Sequence, residues 1–410
     1  MYNKVLKVCN YDTSKPLMPD RALIRSLMAY NFRDNHYSSE NSTKSKNNHD
    51  KNSTVRHESP SHGNLKIRSK VRSMAFNSHG TRLYIATRDS VYLFNVQSMA
   101  VEHTLHLKTT TLIAHPKHPN IFALLVQGSS HSKPSVKVFD AKYTEARSYK
   151  VDLTLMCVIT SAFNENWYTG CWSLDGKYMA LVDREDTLQV VEFGNSYKDM
   201  QLKENSSVKL DSEAYGIIYT KDYLVIHRVD GHLQIFSLDL NDSFVERAHS
   251  HIVTASAFDS NRNLLATGGS DHVVNLFDVD SRMVCITTFP RLEGQVSSLS
   301  FSSNGALLAW GTKDSAPCPI DDLSVIDSTL ESSTSSSKET EDKPPQYYLT
   351  IAGVDPSEIY YQHNTPSPVA HVAFSPNKPL LAYACDYDSF PRGGKSSSHG
   401  NLVGFLHLPF

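Results

Sequence analysis

The sequence contains no unbroken apolar run near the roughly 18–20 residues that a membrane helix needs, and its first residues, Met1 to Lys7, lack the apolar core of a secretory signal. Membrane spanning and secretion are therefore not expected. Six cysteines stand at 9, 157, 171, 285, 318 and 385, with no Cys-x-x-Cys pair among them. A disulfide framework would be denser, so reduced thiols are the simpler reading. Tryptophan is scarce at three residues, and no Trp-Asp dipeptide occurs. Motifs for chemistry are also missing. There is no Gly-x-Ser-x-Gly elbow and no His-Glu-x-x-His pair. Arg392-Gly393-Gly394-Lys395-Ser396 resembles the end of a phosphate-binding loop, but Ser389 stands where that loop needs glycine, and no strand-loop-helix setting surrounds it. His249 and His251 form an i,i+2 pair without a third ligand. No catalytic residue, metal site or cofactor site is assigned.

What is abundant is repetition. The 410 residues are 40% apolar and 10% aromatic, enough for a large core. An apolar-x-apolar-Phe phrase reads Val91-Tyr92-Leu93-Phe94, Val136-Lys137-Val138-Phe139, Leu233-Gln234-Ile235-Phe236 and Val274-Asn275-Leu276-Phe277. Weaker copies begin at Leu188, Tyr348 and Leu402, which makes seven. Each copy is preceded by a strand that ends on an aromatic, as in Phe76, Trp172, Tyr219, Phe258, Phe301 and Phe374. The second copy is degenerate, with Ala114 in that place. Turns such as Ser78-His79-Gly80 and Ser303-Asn304-Gly305 carry the Gly or Asn that a tight hairpin requires. Four copies place the two columns 17–19 residues apart, and three are stretched. Seven units of this kind describe an all-β, seven-bladed β-propeller.

The propeller is expected over 64–410. Its last unit lacks an outer strand, and Leu65-Lys66-Ile67-Arg68, just before the first unit, is the segment expected to supply it and tie the ends of the ring together. Residues 1–63 lie outside the repeat. Their Asn/Ser/Lys/His-rich part reads as disordered, apart from a short amphipathic helix over 21–32 with Leu23, Ile24, Leu27 and Met28 on one side. That helix either packs on the propeller or docks a partner. Residues 1–72 hold 14 Lys/Arg against 6 Asp/Glu. Lys66, Arg68, Lys70 and Arg72 recur with a period of two, which places them on one face of a strand. They form either a protected edge or a nucleic-acid contact. In the sixth unit, 314–346 is an acidic, Ser-rich insertion, and 386–400 reads as a flexible loop of the seventh. Lengthening a connection to that extent costs only about 2 kcal/mol of closure entropy. With these three segments set aside, about 43 residues remain per blade, which suits the repeat class.

The fifth unit is the clearest. Arg247-Ala248-His249, then Ala266-Thr267-Gly268-Gly269-Ser270-Asp271, then Leu276-Phe277-Asp278, resembles the WD repeat. In that family a His, a strand Ser/Thr, a turn Asp and a Trp share a buried hydrogen-bond relay. His249, Thr267 and Asp271 match it, whereas Phe277 replaces the Trp and cannot donate. The resemblance implies a structural role for the three. Two further runs narrow the likeness: Phe289-Pro290-Arg291-Leu292, and Lys378-Pro379-Leu380-Leu381-Ala382-Tyr383-Ala384-Cys385-Asp386. They are similar to the THO complex subunit 3 family, the WD-repeat component of the transcription–export assembly. That resemblance implies a nuclear, non-enzymatic scaffold without cofactors. It would couple transcription elongation to mRNA packaging and export. The implied partners are long helical or coiled-coil THO subunits, with an RNA helicase and export adaptors nearby and weak or indirect RNA contact. Two other readings stand beside it. One is a different nuclear WD-repeat adaptor, serving the nuclear pore, chromatin or a ubiquitin ligase. The other is a direct RNA-binding module led by the basic tail.

Overall fold

The computed structural model describes residues 65–67, 69–128, 132–143, 151–160, 166–194, 200–290, 292, 294–313, 347–365, 367–386 and 401–408. The tail 1–63 with its expected helix (Leu23, Ile24, Leu27, Met28), Arg68, the acidic insertion 314–346 and residues 387–400 of the seventh-unit loop lie outside them. Among the described residues every regular element is a strand.

The chain begins with β1 (Leu65–Ile67). Blade 1 then holds β2 (Val71–Phe76), β3 (Arg82–Thr87), β4 (Val91–Asn95) and β5 (Ala100–Leu105). Blade 2 holds β6 (Thr109–Ala114), β7 (Ile121–Val126), β8 (Ser135–Tyr143) and β9 (Val151–Thr160). Blade 3 holds β10 (Trp167–Trp172), β11 (Tyr178–Asp183), β12 (Thr187–Phe193) and β13 (Met200–Lys209). Blade 4 holds β14 (Ala214–Tyr219), β15 (Tyr223–Arg228), β16 (His232–Ser237) and β17 (Ser243–Arg247). Blade 5 holds β18 (Val253–Asp259), β19 (Leu264–Gly269), β20 (Val274–Asp278) and β21 (Val284–Phe289). Blade 6 holds β22 (Gln295–Phe301), β23 (Leu307–Lys313), β24 (Tyr347–Gly353) and β25 (Ile359–Thr365). Blade 7 holds β26 (Val369–Phe374), β27 (Leu380–Cys385) and β28 (Asn401–His407). Each blade is a four-stranded antiparallel sheet in chain order, except that β1 supplies the fourth strand of blade 7. Leu65 lies opposite Val403, and Ile67 opposite Asn401.

The second strand of each blade is apolar through its middle because both of its faces are covered. In β3, Leu83 and Ile85 pack toward blade 7 with Phe76, Ala382 and Val403. Their neighbours Tyr84 and Ala86 pack the other way, onto Leu112, Phe122 and Leu124 of blade 2. The same alternation joins blades 2 and 3, 3 and 4, 4 and 5, and 5 and 6. Trp310 of β23 sits wholly inside the blade 5–6 layer. Burial of one such aliphatic side chain stabilises by about 1.5–3 kcal/mol, so the core is a ring of inter-blade layers.

The innermost strands carry a second repeat. In all seven blades the pairing of the first two strands slips near the start of the innermost strand, at Arg72, Thr110, Tyr168, Tyr215, Thr254, Ser297 and Ala370. Each slip is a β-bulge, which re-aims the residue it contains. Hydroxyls around these bulges tie one innermost strand to the next. Ser73 donates to the Leu112 carbonyl at 3.0 Å, Thr111 to the Tyr168 carbonyl at 2.9 Å, and the Tyr168 hydroxyl to the Ala214 carbonyl at 2.5 Å. Thr254 donates to the Val296 carbonyl at 2.5 Å, and Ser297 to the Val369 carbonyl.

Blades 1 and 2 are also clamped by a buried arginine. Arg82 meets Glu102 at 2.9 Å and donates to the Ala141 carbonyl at 2.6 Å. The neighbouring Tyr84 hydroxyl donates to the Pro119 carbonyl at 2.9 Å.

The closing strand generates a direct test. Ile67 is buried in the layer between blades 7 and 1, so Ile67→Ala should lower the unfolding free energy by about 2–5 kcal/mol. Urea unfolding checks it; an unchanged midpoint would mean that β1 contributes little to closure.

Candidate functional site

Two places concentrate polar side chains. The first is the relay in blade 5. The loop after β17 carries His249, β19 carries Thr267, and the turn after β19 carries Asp271. His249 Nδ1 lies 2.9 Å from Asp271 Oδ1, and its Nε2 lies 2.8 Å from Thr267 Oγ1. Asp271 Oδ2 accepts the Ser250 N–H at 2.9 Å. Burial alone raises the Asp271 carboxyl; the hydrogen bonds from His249 and Ser250 outweigh it and hold the group below the usual carboxylate range. The structure thus brings together the three residues singled out in the sequence, and all three are buried. Gly231, at φ +86°, fixes the loop from the blade 4 side. Its carbonyl accepts the His249 N–H at 2.9 Å, and a Cβ there would collide with the His249 carbonyl.

Sequence reasoning missed one member of this network. Asn275 of β20 lies opposite Thr267. It donates to the Ala248 carbonyl at 2.7 Å and accepts from Thr288 at 2.7 Å. With Phe277 unable to donate, Asn275 is the polar side chain that links β20 to the His249 loop. Its signal was a lone Asn inside the apolar phrase Val274-Asn275-Leu276-Phe277.

The second place is the mouth of the central channel, a cavity of about 510 Å³. It is lined by the bulge residues Arg72, Thr110, Tyr215, Ser297 and Ala370, together with Lys70, Lys313, His371 and Asp386. Lys70 pairs with the buried Asp386. His371 is held near a pKa of about 4 chiefly by burial; Lys313 and Lys70 push the same way, against hydrogen bonds to backbone at Val71 and Arg72.

The mouth corrects one expectation. Lys66, Lys70 and Arg72 do not share a strand face. Lys66 is in β1, at the outer edge of blade 7, while Arg72 is in β2, the innermost strand of blade 1. Between them the chain crosses from rim to channel, and the bulge at Arg72 breaks the period of two. Arg68 lies outside the described residues.

Among the described residues no group of three His, Cys, Asp or Glu is placed to hold a metal ion, and Cys157, Cys171, Cys285 and Cys385 are free thiols. Burial pushes Cys157 up to about 11 and Cys385 up to about 12, so both stay protonated and weakly nucleophilic.

Two predictions follow from these buried groups. Asp271→Ala would leave the His249 ring and the Ser250 N–H without their acceptor, at a cost of about 1–3 kcal/mol; chemical denaturation measures it, and an unperturbed midpoint would contradict the reading. The second concerns pH. Burial lowers His115 to about 4, His227 to about 3 and His371 to about 4 from an ordinary 6.5. His115 Nδ1 accepts two backbone N–H groups, at 3.1 and 2.9 Å, and only the neutral ring can do so. Between pH 6.5 and 4 the unfolded chain takes up protons that the folded chain refuses. Stability is therefore full above about 6.5 and falls as the pH drops toward 4. Melting temperatures across that window should decline steadily; a flat profile would contradict the burial of these rings.

The WD domain, G-beta repeat family matches residues 239–278, which include most of blade 5. THO complex subunit 3 of Arabidopsis thaliana is 24% identical over 349 residues, spanning 82% of this chain and 93% of that protein. Among solved structures, the β-propeller domain of Cps50 (Swd1) from Myceliophteria thermophila superposes with a TM-score of 0.57 at 15% identity, covering 84% of this chain and 99% of that one. That last likeness concerns the fold alone. The chain is a seven-bladed β-propeller with a WD-repeat match at blade 5, and it resembles THO complex subunit 3 along most of its length.

Proposed function

We propose that this protein is a non-enzymatic scaffold subunit of a THO-type complex in the nucleus. There it would couple transcription elongation to mRNA packaging and export through protein–protein contacts. The observation that carries the reading is the extent of the likeness to THO complex subunit 3: it runs over 93% of that protein and is not confined to the repeat signature. The surface supports an adaptor. Aliphatic side chains stand exposed on the outer strands, with Leu155 and Val158 on β9, Val245 on β17, Val284 and Ile286 on β21 and Ile359 on β25. Val284 and Ile286 are each 52% exposed on an edge strand free of charged residues. Such rims suit docking of large helical partners, with energy concentrated in a few anchors.

Affinity purification from nuclear extract tests the assignment. Recovery of the large coiled-coil THO subunits with an RNA helicase is expected; recovery of a cullin-type ligase or nuclear-pore proteins in their place would overturn it. Replacing Val284 and Ile286 together with Asp should reduce recovery of those subunits by at least about tenfold while leaving the melting temperature unchanged. Full recovery by that variant would remove the blade 5 rim from the interface.

A further inference from the structure

We infer that the channel mouth is a binding site for an acidic peptide, which would place carboxylates against Arg72 and Lys313 and an apolar side chain against Tyr215. The argument starts from the seven bulges. At three of them, Tyr168, Thr254 and Ser297, the side-chain hydroxyl is spent on a carbonyl of the next blade. At Thr110 it reaches the Leu125 carbonyl of its own blade, at 3.2 Å. Ala370 has nothing to donate. Arg72 and Tyr215 break this pattern. Both occupy the bulge, both line the cavity, and Tyr215 is 41% exposed there. Arg72 is the single cation among the seven bulge residues, and among the described residues it has no carboxylate partner; nor has Lys313.

The distribution of charge defines the ligand. Arg72 belongs to blade 1 and Lys313 ends the second strand of blade 6, with the Lys70–Asp386 pair between blades 7 and 1. Among the described residues the lining from blades 2 and 4 is uncharged, Thr110 and Tyr215. Among the described residues Asp386 is the one carboxylate lining the mouth, and Lys70 pairs with it. Among the described residues the cavity of about 510 Å³ therefore combines a net positive sector with an uncharged aromatic side chain. A nucleic-acid strand calls for cations spaced along a track. Here they are gathered in one sector of a concave ring, next to Val71, Pro368 and Ala370. Clustered cations with apolar neighbours match a short segment that carries Asp or Glu beside an apolar residue. The inference rests on the adaptor reading by naming one class of partner, but either can fail alone.

Fluorescence anisotropy with the full chain tests it. The probe is a fluorescein-labelled synthetic peptide of alternating Glu and Asp with one central Phe. Saturable binding is expected. It should weaken as salt rises and fall by at least about tenfold in the Arg72→Gln/Lys313→Gln variant. Tyr215→Ala should weaken it by a smaller factor, and Lys142→Gln, on the outer face and paired with Asp140, should leave it unchanged. Matched melting temperatures confirm that the variants are folded; if the double variant unfolds, the single substitutions and the salt slope of the unaltered chain decide. No saturable binding, binding indifferent to Arg72 and Lys313, or tighter binding of a single-stranded RNA oligonucleotide at the same residues would each overturn the inference. Recovery of THO subunits by the Arg72→Gln/Lys313→Gln variant reports separately on the adaptor reading.

Discussion

The constraint on which this molecule depends is that its innermost strands must pair with nothing on their channel side and still be held. A strand at the centre of a propeller has one hydrogen-bonded neighbour in its own blade and none across the channel. Here the deficit is met sideways. Hydroxyls of Ser73, Thr111, Tyr168, Thr254 and Ser297 donate to carbonyls of the following blade. A bulge in every innermost strand sets the direction of the side chain it contains. Apolar layers between blades supply most of the stability, while the hydroxyls fix how each blade turns toward the next. Closure by β1 on β28 then brings N-terminal and C-terminal strands into one sheet.

The same device makes a surface. Two bulge residues with no such bond to the next blade, Arg72 and Tyr215, line the mouth of the channel. The seven bulge positions thus repeat in backbone while differing in side chain. The relay in blade 5 is structural. His249, Thr267 and Asp271 are buried and hydrogen-bonded to one another, as expected for a network that specifies a fold.

Much of this was legible in the sequence, for physical reasons. The apolar-x-apolar-Phe phrase repeats because a third strand covered on both faces admits little else, and the β4, β8, β16 and β20 phrases all fell where strands form. The closing strand was readable from the missing outer strand of the last unit. The blade 5 relay was readable because its spacing follows the repeat. What escaped was anything set by geometry between blades. A period-two strip from Lys66 to Arg72 looked continuous, yet the chain leaves one sheet and enters another within it. The bulges left no composition signal, since Arg, Thr, Tyr, Ser and Ala all occupy them. Asn275 looked like an imperfection in an apolar run because its partners, Ala248 and Thr288, lie on other elements.

The central proposal is that this propeller serves as a stoichiometric subunit of a THO-type assembly. Co-expression with the other THO subunits, followed by size-exclusion chromatography with light scattering, tests it most directly. The account predicts that the chain elutes within one stable complex, in fixed ratio to its partners. Elution of the chain alone, with the remaining subunits assembled without it, would contradict the account.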